Sequence, residues 1–309
     1  MNVFVAGGTG VLGRAALGPL VAAGHRVRAT ARGDEKAASV RRAGAEPIDV
    51  DLYDSASVRQ AIRGSEVLIR LTTKIGSVSG MRSARAWEET NRLRTLGARI
   101  LVDAAIAEGV RAYVHESVIF VYRDGGSNWL DEEAAIDDGR TAILRAALQG
   151  EQEAGRFTKA GGRGIVLRFA GFYGADAPST QETLAMASKR MLPRIGPGSN
   201  YFSSVYLPDA GRAIAASIGL AGGVYNVCDD DPLFFCQYLD RLTAAAGAAK
   251  PLRLPAFLGS LLFGDVWKYL SRSLRISNAK LKALGGWQPE VRSSREGWPL
   301  VASSQSRSE

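Results

Sequence analysis

The 309-residue sequence is poor in the residue types that build disulfide scaffolds and metal centres. It contains two cysteines, Cys228 and Cys236, and two histidines, His25 and His115. Two cysteines cannot provide a disulfide framework, and their scarcity favours a reducing compartment. Two histidines exclude a multi-histidine metal site. The sequence therefore predicts no metal centre.

Long apolar runs and clusters of like charge are also missing. The most apolar late stretch, Pro255 to Phe263, is too short to span a bilayer. Because Met1 leads directly into a strand pattern without a charged leader, we expect a cytoplasmic protein with no signal peptide. The formal net charge of +8 is scattered along the chain, which disfavours nucleic acid and suits an anionic small molecule. We expect a monomer or a homodimer.

Short apolar runs alternate with helical patterns through the first half of the chain. The predicted strands are Asn2 to Ala6, Arg26 to Ala31, Glu46 to Val50, Glu66 to Leu71, Ala112 to Glu116 and Gly164 to Phe169. The main predicted helices are Leu12 to Ala23, Ser55 to Arg63, Thr90 to Glu108 and Ala142 to Phe157. This alternation predicts the α/β class, with a Rossmann doubly wound parallel sheet.

The alternation ends near Gly174, and segments rich in Pro, Gly and Ser follow. We expect a dinucleotide-binding domain over residues 1–174 and a smaller, interleaved substrate lobe over 175–302. Gly223 to Val227 is predicted to return to the main sheet, within a stretch of such returns around 203–230. Leu254 to Arg272 reads as a helical region without a strand partner, and the polar tail of residues 303–309 as disordered.

A glycine-rich turn lies between the first strand and the first helix. Its three glycines are Gly7, Gly10 and Gly13, spaced by three residues each. In a dinucleotide-binding fold they permit the tight turn, the close approach of backbone to pyrophosphate, and the packing of helix on strand. The helix N-terminus then offers free N–H groups to the phosphates. The position of the turn in the chain predicts a dinucleotide cofactor.

The end of the second strand indicates which dinucleotide is bound. An acidic residue there would bind the ribose 2′-hydroxyl of NAD, but the sequence has Ala31 and Arg32. Arg32, with help from Arg14, can pair with the 2′-phosphate of NADP. We therefore predict NADP(H), with Asp51 and Leu52 beside the adenine. An exposed arginine without such a role is the alternative.

Several motifs together resemble the extended or atypical short-chain dehydrogenase/reductases, including the NAD-dependent epimerase/dehydratase group. They cover nearly the whole chain: GGTGVLGR (7–14), VDLYD (50–54), NRLRTLGARILVDAAIAEGVRAYVHES (91–117), VLRFAGFYG (166–174), VYLPDAGRAI (205–214), GVYNVCDDDP (223–232) and KLKALGGWQPE (280–290). The resemblance implies a Rossmann domain with a lobe that closes over substrate, and catalysis by Ser/Thr, Tyr and Lys, the last two as Tyr-x-x-x-Lys.

This sequence departs from that catalytic pattern. None of its tyrosines has a lysine four residues later, and the family's positions fall on Ile143 for Tyr and Ala147 for Lys. The family's serine position falls on Val118, with Ser117 one residue out of register. Hydride transfer can survive such a loss, because positioning of the nicotinamide supplies much of the acceleration. Triad-less ketoreductases of polyketide pathways, which this sequence resembles, are of this kind.

Three side chains are candidates for the remaining chemistry. Ser117 can hydrogen-bond the substrate oxygen or merely cap a strand end, Tyr122 is a candidate replacement acid or a packing residue, and Lys74 can stand in for the missing lysine. His115 and Glu116 are weaker candidates, since one of them must face the sheet packing. The predicted cofactor-binding residues are Gly7, Thr9, Gly10, Val11, Leu12, Gly13, Arg14, Arg32, Asp51, Leu52, Leu71, Thr72, Phe169 and Phe172.

The interpretation that follows is an NADPH-dependent reductase of a ketone or related group on a bulky, aromatic polyketide-type small molecule. Phe257, Phe263, Trp267 and Tyr269 are candidates for a substrate wall, or for ordinary core. Two alternatives stay open. One is a nucleotide-sugar epimerase or dehydratase, which normally needs the missing tyrosine base. The other is a non-catalytic NADP(H)-binding regulator.

Overall fold

The computed structural model describes residues 1–74, 83–137, 139 and 141–305. Seven strands form its central sheet: β1 Asn2–Ala6, β2 Arg26–Thr30, β3 Glu46–Ile48, β4 Val67–Arg70, β5 Ala112–Val118, β7 Arg163–Phe169 and β12 Gly223–Val227. Their order is β3-β2-β1-β4-β5-β7-β12, and all neighbours are parallel. The predicted Rossmann sheet is confirmed, with its strand order reversing between β1 and β4.

Helices cover both faces of this sheet. They are α1 Val11–Ala22, α2 Asp34–Arg42, α3 Ser55–Ile62, α4 Ala84–Arg92, α5 Ala98–Ala107, α6 Ala142–Lys159 and α8 Leu207–Ser217. Alternate residues of each strand enter two separate apolar cores: Val5 and Ile69 pack towards α1 and α8, whereas Phe4 and Leu68 pack towards α3 and α5. Burial on both faces explains why these strands read as nearly continuous apolar runs.

The long helix predicted from Thr90 to Glu108 is wrong in its start and in its regularity. Helix α4 begins at Ala84, and a π-helical segment over Leu93–Gly97 separates it from α5. A π-helical insertion shifts the residues that follow around the helix axis, and such insertions are frequent at functional sites. Within this one, Arg94 is buried under the end of the sheet.

The remaining elements are short. The strands are β6 Trp129–Leu130, β8 Gly171–Tyr173, β9 Arg194–Ile195, β10 Tyr201–Phe202, β11 Ser204–Tyr206, β13 Leu233–Phe234, β14 Arg253–Leu254 and β15 Arg275–Ile276. The helices are α7 Pro178–Ser188, α9 Phe235–Ala245, α10 Leu258–Phe263, α11 Trp267–Leu270, α12 Ala279–Gly285 and α13 Ser294–Gln305. These strands pair as β10 with β13, β11 with β8, β14 with β9 and β15 with β6.

Two expectations for the C-terminal half need correction. The region Leu254 to Arg272, predicted to be helical and without a strand partner, begins in β14, which pairs with β9, and a 3₁₀ turn at Gly264–Val266 separates α10 from α11. The tail is ordered as far as Gln305, because α13 packs Trp298 against Tyr173 with ring centroids 5.1 Å apart. Residues 306–309 lie outside the described residues. The division at residue 174 stays a prediction.

Across residues 1–74, 83–137, 139 and 141–305, no helix is both long enough and apolar enough to span a bilayer.

Helix α6 offers a test of how tightly it packs on β5. A Cβ atom at Gly150 would lie 2.6 Å from Nε2 of the buried His115 and 3.0 Å from the Arg94 carbonyl oxygen. We expect Gly150→Ala to lower the free energy of unfolding by about 2 kcal/mol, because the core is overpacked there. Urea denaturation measures this change.

The control for that variant lies five residues further along the same helix. Gly155 is exposed, and a Cβ atom added there would meet nothing within 4 Å. We expect Gly155→Ala to raise the free energy of unfolding by about 0.5–1 kcal/mol, through helix propensity alone. Equal effects of the two variants would contradict the packing described for Gly150.

Candidate cofactor and active site

The glycine turn has the geometry that a pyrophosphate requires. Gly7 has a φ of +94°, and a Cβ atom on it would lie 2.8 Å from the Leu71 carbonyl group. A Cβ atom on Gly13 would lie 2.1 Å from the Gly7 carbonyl oxygen, so only glycine lets α1 approach the turn. Gly10 is open except for the Gly7 carbonyl oxygen, and it starts α1 without a side-chain cap. The first N–H groups of α1 therefore point at the turn without helical acceptors.

The predicted side-chain partners of the turn have different surroundings. Arg14 donates to the carbonyl oxygens of Thr9, at 2.9 Å, and of Asp176, at 3.1 Å. Its guanidinium thus joins the glycine turn to the segment before α7, and this engagement was not foreseen from the sequence. Arg32 is exposed and has no hydrogen bond or ion pair with the described residues.

The residues after β3 form a small surface cluster on the side of β2. The Asp51 carboxylate accepts the Tyr53 N–H at 2.9 Å, and Leu52 packs partly buried against the core. The Arg92 guanidinium lies 4.0 Å from the Tyr53 ring centroid. Asp51 and Leu52 are therefore held on the same side of the sheet switch point as Arg32, where the predicted adenine half would lie.

The segment after β4 forms the wall of the glycine turn. Leu71 and Thr72 are buried, and Thr72 Oγ1 has no hydrogen-bond partner among the described residues. The Arg70 guanidinium donates to the Thr72 carbonyl oxygen at 2.7 Å. Thr90 Oγ1 accepts the Lys74 N–H at 3.1 Å and donates to the Lys74 carbonyl oxygen at 2.7 Å, so the segment is fixed at both ends.

Arg70 belongs to a buried ion cluster that sequence reasoning missed. Its guanidinium contacts Glu116 Oε2 at 3.5 Å, and the Arg94 guanidinium contacts Glu116 Oε1 at 3.4 Å. His115 packs beside them, and burial together with the two arginines holds its pKa well below the usual value, so the ring is neutral. Polar residues at the ends of two apolar strands were the available signal. The cluster has two positive charges and one negative charge.

The two hydroxyl groups predicted for catalysis lie in a different polar network. Ser117 Oγ donates to Glu151 at 2.6 Å, and Arg168 donates to both oxygens of that carboxylate, at 2.9 and 2.7 Å. Tyr122 donates to the Asn226 amide oxygen at 2.8 Å, and burial raises the pKa of its phenol to about 12. Both hydroxyl groups therefore already donate hydrogen bonds inside the protein, and their catalytic roles stay predictions.

Similarity to known proteins is consistent with a dinucleotide-binding turn on a Rossmann sheet. A family model described as NAD(P)H-binding matches residues 7–160. A 3-diazoavenalumate denitrifying reductase from Streptomyces is 32% identical over 96% of this chain and 99% of its own length. The chain belongs to the NAD(P)H-binding, short-chain dehydrogenase/reductase-like family.

Two further proteins show how this family relates to the chain. A ketoreductase of Stigmatella aurantiaca that acts on a 3-oxo-dihydroquinoline oxide is 30% identical over 80% of this chain and 74% of its own length. A human epimerase family protein, solved with NADPH, has a TM-score of 0.78 at 17% identity, covering 98% of this chain and 99% of its own. The latter shows the fold alone. The chain is accordingly an NAD(P)-dependent oxidoreductase by family.

The two positions that the resemblance assigns to the family's Tyr and Lys hold apolar residues. Ile143, in the first turn of α6, packs against a cluster that includes Trp87, Leu144 and Tyr269, and Ala147 is buried one turn later. Within the described part of the chain, nothing at these two positions can donate or accept a proton.

Of the four aromatic residues predicted to form a substrate wall, three pack against other aromatic rings and Phe257 does not. The rings of Tyr269 and Phe120 lie 5.4 Å apart, and Phe263 stacks on Trp267 at 6.2 Å. Phe257 is 77% exposed and belongs to no wall.

The loop predicted to lie beside the carboxamide follows β7. Phe169 is buried and Phe172 half-buried, with their rings 5.4 Å apart. The Ala170 N–H donates to the Val227 carbonyl oxygen, which ties this loop to the end of β12. A cofactor contact by Phe169 or Phe172 stays a prediction.

A nicotinamide dinucleotide fits the residues of the glycine turn. The open face of Gly10, the uncapped start of α1 and the unpartnered hydroxyl of Thr72 together offer N–H donors and one buried polar side chain. Gly7 to Gly13 would hold the pyrophosphate, and Thr72 a ribose or amide group of the nicotinamide half.

The role of Thr72 can be tested with an isosteric variant. We expect Thr72→Val to weaken NADPH binding about five- to tenfold, because a hydrogen bond to the cofactor is lost, while thermal stability changes little. Titration of tryptophan fluorescence with NADPH measures the affinity.

The comparison variant is Thr90→Val, which removes the two hydrogen bonds to Lys74. We expect this variant to lower thermal stability, in contrast to Thr72→Val. A Thr72→Val protein with unchanged NADPH affinity would remove Thr72 from the cofactor site.

Proposed function

We propose that the protein is an NADPH-dependent reductase of a bulky aromatic small molecule, and that it works without a proton donor from a Tyr–Lys couple. The observation that carries this proposal is the apolar filling of the couple's positions by Ile143 and Ala147. The bound cofactor would supply a hydride. The residues of this chain would bind and orient the acceptor and would exclude water from it.

The preference for NADPH over NADH rests on charge at the end of β2. Ala31 is buried where NAD-binding members place a carboxylate, and the exposed guanidinium of Arg32, which follows it, has no partner among the described residues. A guanidinium binds a phosphate through paired hydrogen bonds. The Arg14 guanidinium already donates to two backbone carbonyl groups, so we assign the 2′-phosphate contact to Arg32 alone. Asp51 and Leu52 complete the proposed adenine side.

The proton balance decides which acceptors suit such a site. Reduction of a ketone adds one hydride and one proton, so the proton must come from water or from a phenol on the substrate itself. Replacement of an aryl diazonium group by hydride releases dinitrogen and requires no proton. The Streptomyces relative is named for a diazo substrate, and the Stigmatella relative is named for a ketone. Both acceptors are therefore candidates. The diazo group suits this site better, because its reduction needs no proton donor from the protein.

The aromatic cluster next to Ile143 supports an aromatic substrate. Phe120 follows β5, and Tyr269 comes from α11, so the two rings meet between the sheet and the C-terminal elements. Stacking on such rings would orient a flat molecule. Of the three catalytic candidates from the sequence, Lys74 alone is exposed, and we keep it as a proposed cation beside the cofactor.

The cofactor preference is tested at Arg32. We expect Arg32→Ala to weaken NADPH binding about tenfold or more and to leave NADH binding unchanged, because only NADPH has the 2′-phosphate.

Arg42→Ala is the matched control, since it removes the same charge from an exposed arginine at the end of α2. Equal losses in the two variants would show that general charge, and not a phosphate contact, governs binding.

The acceptor is tested by following NADPH absorbance with aromatic ketones and with aryl diazo compounds. Alcohol formation identifies a ketoreductase, and gas evolution with formation of the parent arene identifies a diazo reductase. Conversion of a nucleotide sugar without net loss of NADPH would establish the epimerase instead. NADPH binding with no turnover of any of these classes would support the regulator.

A further inference from the structure

The buried ion cluster of Arg70, Arg94 and Glu116 lies under one half of the cofactor site. The glycine turn follows β1, at the point where the strand order reverses between β1 and β4. Arg32 and Asp51 lie on the β2 and β3 side, which is the proposed adenine side. The nicotinamide half must then extend over β4 and β5. Arg70 ends β4 and Glu116 lies near the end of β5, so the cluster is under that half.

The cluster has an uncompensated positive charge. All three side chains are at least 96% buried, with Arg70 fully buried. Guanidinium groups stay protonated even when buried, and a single carboxylate is shared between two of them. In the described part of the chain, the Nε atoms of both arginines have no hydrogen-bond partner. Among the residues that the structure describes, no second carboxylate pairs with the two arginines, and their low exposure limits screening of the charge by salt.

Arg70 also has a mechanical connection to the cofactor site. Its guanidinium donates to the Thr72 carbonyl oxygen at 2.7 Å, and the backbone of Leu71 and Thr72 touches the glycine turn at Gly7. Within the described residues, the Arg94 guanidinium donates to Glu116 and makes no contact with the Leu71–Thr72 backbone. The two arginines therefore contribute equally to charge but differently to the position of Thr72.

We propose that this cluster selects the redox state of the cofactor, so that the site binds the reduced nicotinamide more tightly than the oxidised one. The inference rests on the proposed nicotinamide cofactor. The oxidised ring is a cation and the reduced ring is neutral, so a buried positive charge opposes only the oxidised form. A unit charge about 10 Å away, at an effective dielectric of about 20, changes the affinity about tenfold. Reduction then becomes the favoured direction, and the oxidised cofactor leaves readily.

The experiment measures dissociation constants for NADP⁺ and NADPH without substrate, by tryptophan fluorescence, and compares their ratio among variants. Arg94→Met removes one charge and leaves the Thr72 contact intact, so the ratio of the NADP⁺ constant to the NADPH constant should fall about tenfold. Arg94→Lys keeps the charge and should leave the ratio unchanged. Arg70→Met should lower the ratio similarly and also weaken binding of both forms.

Glu116→Gln changes the charge in the opposite direction with almost no change in shape. It should raise the same ratio about tenfold, so the proposal stays testable even if an arginine variant does not fold. The double variant E151Q/R168M is the control for lost stability, because it removes another buried ion pair without altering net charge. It should lower the melting temperature and leave the ratio within about twofold.

Two outcomes would overturn the inference. A ratio that stays constant through Arg94→Met and Glu116→Gln would mean that the cluster is structural only, with the cofactor proposal unaffected. Failure of the wild-type protein to bind either form would overturn the cofactor proposal and this inference together.

Discussion

The contact between the glycine turn and the end of β4 is the constraint on which the site depends. Gly7 approaches the Leu71 carbonyl group so closely that no side chain fits between them. This close backbone contact fixes the position of the turn on the sheet, and with it the start of α1. Everything proposed for the cofactor follows from this fixed point, because Thr72, Arg70 and the adenine-side residues are all positioned relative to it.

Local rules explain why the cofactor half of the molecule could be predicted from sequence. Gly7, Gly10 and Gly13 report backbone conformation and contact distance, which are short-range properties that residue type alone reveals. The alternation of strands and helices is similarly local, and it predicted the strands of a parallel sheet, although not their order in that sheet. The π-helical segment at Leu93–Gly97 was not predicted, because the sequence from Thr90 to Glu108 also reads as one continuous helix.

The catalytic half was harder to predict because its contacts are long-range. The sequence motif places Ser117 one residue from the family's serine position and gives no sign of its hydrogen-bond partner. That partner, Glu151, lies 34 residues later in the chain, and Arg168 lies further still. Arg70 and Glu116 are 46 residues apart. No periodicity encodes such pairs. The usable clue was physical: a charged residue inside an apolar strand must find an opposite charge, and the sequence places several such residues at neighbouring strand ends.

Packing around α6 limits which side chains fit there. Ile143, at the position that the resemblance assigns to Tyr, packs among aromatic rings, and His115 fills the space next to Gly150, one turn beyond Ala147. A bulkier residue at either family position would have to displace neighbours in a close-packed interior. Substitution of Tyr and Lys at positions 143 and 147 would therefore not by itself create a working proton donor. The side chains around both positions would have to be repacked as well, so a new donor is easier to introduce elsewhere in the site.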